Sequence, residues 1–264
     1  MLPRVSVVQA NNADFLLFST GDHISNTIFR TGEWDPHLVS ISKVFYQGED
    51  APFIIDVGAN VGGYSVPIAK DIMRGGGLVW GFEPQRIVYY QLCGNVVLNR
   101  LDNYYAFNQA IGEVNGFVQI PEVDHESSQN IGAFSLEKGY RERLGVEHSM
   151  RQASNAVPLV TLDSLRVPKV PTLIKLDVEG LEINVINGAR HFLEEHHYPA
   201  IIFEVWAYEW FEKQRQVLMD TLTQLGYVIS QVTVADYVAQ NRRNPIAVDF
   251  VREDGGRVFM KRVK

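Results

Sequence analysis

Phe53-Ile54-Ile55-Asp56-Val57-Gly58-Ala59-Asn60-Val61-Gly62-Gly63-Tyr64 decides how the 264 residues of this chain are read. Four apolar residues flank Asp56, and a short apolar run closed by glycine suits a strand buried on both faces of a parallel sheet. Gly58, Gly62 and Gly63 relax the backbone, and the spacing of Tyr64, Val66, Ile68 and Ala69 predicts a helix. Strand, glycine turn and helix, with an acid at the end of the strand, is the geometry that holds an adenosine-containing cofactor.

Downstream, Gly75-Gly76-Gly77 ends that helix and Leu78 to Phe82 predicts a second strand, followed at once by Glu83-Pro84. Glu83 lies 21 positions beyond Gly62, close to the roughly 20 expected of an acid that binds ribose hydroxyls. Pro84 suits the first turn of a helix from Gln85 to about Arg100. Tyr104 to Asn108 reads as a third strand ended by Ala110-Ile111-Gly112-Glu113, where residues of such a sheet approach the adenine. Gly116 to Val123 is extended. Residues 124–155 are polar and charged, and a stretch of that length reads as an insertion over the active site.

Val157 to Leu162 resumes extended structure before the second informative stretch, Thr172 to Gly180. Strand alternation there puts Lys175, Asp177 and Glu179 on one side and Ile174, Leu176 and Val178 on the other. Three charged groups at the C-terminal end of a central strand sit where α/β proteins bind ligands, the competing role being an ion-pair cluster that tethers a helix from Leu181 to Phe192. Pro199 to Trp206 predicts another buried strand carrying Glu204. A helix from about Tyr208 to Leu225, a strand from Tyr227 to Val232, a final strand within Asn244 to Val251 and an edge at Val258 to Met260 complete the pattern. Ahead of the fold, Asp14 to Phe18 reads as a strand, Asp22 or Ser25 as a helix cap, and Pro36 to about Tyr46 as a helix. Residues 1–50 thus form a lid or extension to a domain spanning 51–264, with Trp34 and Phe29 either in the lid or as core anchors.

A net charge of −7 disfavours nucleic acid as the main partner, because binding a phosphate backbone calls for a basic surface. The single cysteine, Cys93, allows no intrachain disulfide. No apolar run approaches the ~20 residues needed to span a bilayer, and the N-terminus lacks a signal-peptide pattern, so a cytoplasmic protein without integral membrane segments is expected. The seven histidines lack metal-ligand spacing, and no metal is expected.

The segments I-D-V-G-A-N-V-G-G-Y-S at 55–65, G-F-E-P at 81–84, N-Q-A-I-G at 108–112 and I-K-L-D-V-E-G-L-E at 174–182 resemble the FkbM family of S-adenosylmethionine-dependent methyltransferases. I-S-N-T-I-F-R-T-G-E-W-D-P at 24–36 and N-I-G-A-F-S at 130–135 are similar to two further motifs of that family. The resemblance implies a Rossmann-like class I methyltransferase fold: a mostly parallel seven-stranded sheet, helices on both faces and an antiparallel last strand. It implies O-methylation of a hydroxyl on a sugar, glycolipid or polyketide-type product, with a small-molecule or glycan acceptor as partner. Asp56, Gly58, Asn60, Gly62 and Tyr64 would lie along the methionine end of S-adenosylmethionine, Glu83 and Pro84 at the ribose, and Asn108 and Ala110 near the adenine.

Asp177 or Glu179 would take the acceptor proton, steadied by Lys175, while Trp34, Asn130, Ser135 and Glu204 would orient the acceptor. Rivals stay open on the same residues. A Mg²⁺-assisted O-methyltransferase would use Asp177 with Glu204 or Glu179. A nicotinamide-dependent oxidoreductase would share the strand-turn-helix, although Asn60 stands where a second glycine lets backbone approach a pyrophosphate. An RNA methyltransferase and a non-catalytic adenosyl-binding protein complete the set.

Overall fold

The computed structural model describes residues 4–19, 21–123, 131, 135–145, 150–252 and 258–263. In chain order the elements are β1 (Val5–Gln9), β2 (Asp14–Phe18), α1 (His23–Thr31), α2 (Pro36–Tyr46), β3 (Phe53–Val57), α3 (Ser65–Ile72), β4 (Leu78–Phe82), α4 (Arg86–Leu98), β5 (Tyr104–Phe107), β6 (Ala110–Ile111) and β7 (Gly116–Val123). They continue as α5 (Lys138–Leu144), β8 (Met150–Val160), β9 (Leu173–Leu176), α6 (Glu182–Asn187), α7 (Arg190–Glu195), β10 (Ala200–Glu204), α8 (Glu212–Gln224), β11 (Tyr227–Gln231), β12 (Asp236–Asn241), β13 (Val248–Arg252) and β14 (Val258–Arg262).

β3 is buried at every residue because it lies in the middle of a seven-stranded sheet of order β11-β12-β10-β9-β3-β4-β5. β5, β4, β3, β9 and β10 are mutually parallel, and β12 runs antiparallel between β10 and β11. The sheet carries an apolar layer on each face, and β3 divides its side chains between them. Ile54 packs with Val66, Ile68, Leu92 and Leu38 of α3, α4 and α2, whereas Phe53, Ile55 and Val57 pack with Val185, Phe192 and Leu218 of α6, α7 and α8. The expected α/β class, with helices on both faces and an antiparallel last strand, holds.

Three elements differ from the reading of the sequence. The seventh strand is Asp236–Asn241, not the stretch from Asn244 to Val251; residues 248–252 instead pair with residues 258–262 in a separate two-stranded ribbon, so Val258 to Met260 extends no edge of the main sheet. The helix expected from Leu181 to Phe192 is broken into α6 and α7, and a Cβ on Gly188 at the break would sit 2.1 Å from the Gly112 carbonyl oxygen. Residues 150–155 of the polar 124–155 stretch belong to β8, which pairs antiparallel with β7 and parallel with β6. No helix among the described residues is long and apolar enough to cross a membrane.

Upstream, the expected strand and both helices are present, and Asp22 caps α1 by accepting from the Ser25 amide. The β1–β2 ribbon is anchored on α4, where Asn95 accepts from the Leu16 amide at 2.6 Å and donates to the Val61 carbonyl at 2.7 Å. Phe29 is exposed, while Trp34 is half-buried against the core.

Candidate active site

β3 and β9 are neighbours in register, so Asp56 stands beside Lys175. Both are buried, on the face of the sheet that meets α2 and α3. Neither oxygen of Asp56 has a hydrogen-bond partner; the Lys175 ammonium is 3.9 Å from Oδ1, and the Ser65 hydroxyl close by is engaged with Tyr104 at 2.8 Å. Burial pushes the Asp56 carboxyl up, against the pull of Lys175. For Lys175 burial works downward, yet the carboxylates of Asp177, Asp56 and Asp35 outweigh it and hold the ammonium above its usual range. Its tightest contact is with Asp177 Oδ2 at 2.8 Å, and the Tyr64 ring lies 5.5 Å away.

The glycine turn is shaped by what crosses it. Gly58 has φ 86°, and a Cβ there would come within 1.8 Å of the Asp177 carbonyl oxygen. Glycine is therefore required both for the left-handed backbone and for the close approach. The Gly58 and Ala59 amides both donate to the Phe82 carbonyl, joining the turn to the end of β4. Asn60, also left-handed at φ 51°, donates its amide to Glu83 Oε2 at 3.0 Å. Glu83 Oε1 accepts from the Gln85 amide at 2.8 Å, so both carboxylate oxygens are aimed while lone pairs remain free. Burial raises its carboxyl to about 7, with the Gln85 and Asn60 amides opposing the shift.

Two cavities open from this turn. The first, of about 620 Å³, is lined by Glu83, Pro84, Gln85, Gln109, Ala110 and Ile111 at one end. Leu136, Val178 and Leu181 also line it. The second, of about 710 Å³, is lined by His23, Trp34, Tyr64, Lys175 and Glu204. Gly58, Asn60, Asp177 and Glu179 line both, so the two spaces meet there. Alternation along a strand does not explain this convergence. β9 stops at Leu176, and Glu179 is turned inward by a left-handed residue at φ 55°, held where Glu182 accepts from the Val178 and Gly180 amides. Burial, then Asp177 and Glu204, push the Glu179 carboxyl well up. Burial and Asp177 push Glu204 to about 8.

The remaining expected residues fall elsewhere. Asp56 and Gly62 line neither cavity: Asp56 lies beneath Lys175, and a Cβ on Gly62 would meet Val66 at 2.6 Å and Leu92 at 2.8 Å. Asn108 pins the connection below Glu83, donating to the Glu83 and Pro84 carbonyls. Ser135 is fully buried beside Arg141, which donates to its carbonyl, and lines neither cavity. Asn130 lies outside the described residues. Sequence reasoning passed over Gln85, Gln109 and His23. Gln109 sits inside the quoted N-Q-A-I-G segment and was within reach; Gln85 and His23 contribute through tertiary placement that no local pattern encodes. Among the described residues, no group of three or more His, Cys, Asp or Glu side chains is placed to hold a metal ion.

Solved structures with a related arrangement include the methyltransferase FkbM from Methylobacillus flagellatus (TM-score 0.45, 18% identity), which covers 82% of this chain and 52% of its own. They also include precorrin-6y methyltransferase from Geobacter metallireducens (0.43, 10% identity, 86% of this chain and 84% of its own). A third is TYW2 of M. jannaschii in complex with AdoMet (0.40, 11% identity, 90% and 85%). The chain thus spans about half the length of the first of these. Comparison with curated proteins gave no match. Residues 56–229, most of the chain, including the glycine turn, Glu83, Lys175, Asp177, Glu179 and Glu204, match the family described as the methyltransferase FkbM domain. The chain belongs to the FkbM methyltransferase family, and its cofactor is S-adenosylmethionine.

Proposed function

We propose that the chain methylates a hydroxyl oxygen of a small-molecule or glycan acceptor, with Asp177 as the base. The observation that carries this reading is the meeting of the two cavities at Asp177, with Glu83 lining one and Glu204 the other. The residues fit the cofactor. Gly58 and Asn60 of the turn line the cavity together with Glu83, and the free lone pairs of Glu83 match a ribose diol. Gln109, Ala110 and Ile111 supply the walls for an adenine. When bound, S-adenosylmethionine supplies an electrophilic methyl group on a positively charged sulfur.

The chain's own part is alignment, water exclusion and removal of one proton. Asp177 is fixed by the Lys175 ammonium and faces both spaces, so it is placed to accept the hydroxyl proton as oxygen gains its new bond. Burial raises the carboxyls of both Glu179 and Glu204, the latter to about 8, which suits Glu204 to donate a hydrogen bond to the acceptor, while Asp177 is assigned as the base on its position between the two spaces. Trp34 and His23, edge to face at 5.7 Å, form the opposite wall. The metal-free form is preferred because the Lys175 ammonium, 2.8 Å from Asp177, already supplies positive charge to the carboxylate that a cation would share with Glu204 or Glu179. Incubation with radiolabelled S-adenosylmethionine and a panel of hydroxylated acceptors, sugars first, tests the reading. Label in an acceptor as a methyl ether is expected; label only on nitrogen or carbon, or in none, would overturn it.

A further inference from the structure

A further space, of about 450 Å³, lies behind the Trp34 wall of the catalytic cavity and shares Trp34 and Gly63 with it. The indole rests on Gly63, where an added Cβ would come 3.0 Å from Trp34 Cβ, so Trp34 is the partition between the two. This space shares Asn12, Val39, Ser40 and Pro67 with a third one, of about 1000 Å³, that opens on the surface between α2 and α3. Three adjoining spaces thus lie in a line from the acids around Asp177, across Trp34, to a groove between two helices.

The groove has the chemistry of a polyol site. Asn12, Ser40, Lys70, Asp71 and the Tyr46 hydroxyl supply donors and acceptors of both kinds, and the Tyr46 hydroxyl already donates to Asp71 at 2.8 Å. Lys43 pairs with Asp71 at 3.1 Å, which leaves Lys70 as one positive charge, far short of the basic surface a nucleic acid needs, and the polar lining does not suit a lipid tail. Near Trp34 the lining turns apolar, with Ala13, Phe15 and Val39, which suits the CH faces of a sugar ring. We infer that the acceptor is an extended glycan whose reacting unit lies at Asp177 and whose following units pass Trp34 into the α2–α3 groove.

The inference rests on the O-methylation reading for the reacting unit, and the test separates the two. The protein saturated with S-adenosylhomocysteine is applied to an array of oligosaccharides of graded length, and retained glycans are then offered radiolabelled S-adenosylmethionine. Glycans longer than a disaccharide should be retained about tenfold more tightly than their shorter relatives. Ser40→Trp, at an exposed position of α2, should remove that advantage while leaving S-adenosylhomocysteine affinity and short-glycan binding unchanged. No length preference in the wild type, or an undiminished preference in Ser40→Trp, overturns the groove. Length-dependent retention without methyl transfer overturns the O-methylation reading and leaves the groove standing.

Discussion

Glu204 stands at the end of β10 beside four other acids, Asp35, Asp177, Glu179 and Asp236, with a single buried ammonium among them. Its carboxyl is raised from 4.5 in the open chain to about 8 by burial and by Asp177. A raised folded value means that its contribution to stability is complete below about pH 4.5 and is lost as the pH climbs through about 8. Glu204→Gln cannot ionise, so its melting temperature relative to wild type should improve by about 3 °C more at about pH 9 than at about pH 5. An equal difference at both pH values would mean that Glu204 is ionised throughout. The residues legible in the sequence are those whose chemistry is local: Gly58 and Asn60 in a left-handed turn, and Glu83 just past a strand. Lys175 was legible as a charge on a strand, but its pairing with Asp56 depends on the register of two strands far apart in sequence.

At the scale of elements, apolar runs revealed the six other strands of the sheet but misplaced the seventh. β12 reads D-Y-V-A-Q-N, with only Val238 and Ala239 apolar and fully buried, whereas the nearby Pro245 to Val251 stretch is more apolar and forms an outlying ribbon. A strand paired on both sides needs little apolar surface of its own, since β10 and β11 satisfy its backbone. The break between α6 and α7 was equally hidden, because the apolar spacing continues through Ala189 and Phe192 while the cause is the Gly112 backbone. Gly188 has φ −85°, so alanine there is conformationally acceptable and only the clash opposes it. Gly188→Ala should cost about 2 kcal/mol, or roughly 6 °C in Tm by calorimetry. An unchanged Tm would show that this contact yields.

For the molecule as a whole, one hydrogen-bonded chain joins the N-terminal helices to the cofactor turn. Asp22 accepts from the Ser25 amide through Oδ2 and from the Ile131 amide through Oδ1, at 2.9 and 3.0 Å. Gln85 donates its side chain to the Ile131 carbonyl at 3.1 Å and its own amide to Glu83, which in turn accepts from Asn60. Asp22, Ile131, Glu83 and Gln85 are buried, so removing the first carboxylate leaves amides without partners, at about 1–3 kcal/mol each. Asp22→Ala should speed hydrogen exchange at the Ile131 amide and weaken S-adenosylhomocysteine binding about tenfold by calorimetry; unchanged affinity would confine Asp22 to capping α1. The sequence suggested Asp22 as a cap, but not its second bond 109 positions away.

The base assignment is the centre of the account, and Asp177→Asn tests it most directly. Asparagine preserves the size of the side chain and its place where the two cavities meet, and removes the carboxylate that Lys175 holds. Methyl transfer to a hydroxylated acceptor should fall about a thousandfold, while S-adenosylhomocysteine affinity stays within a few fold. Transfer by Asp177→Asn at the wild-type rate would contradict the account.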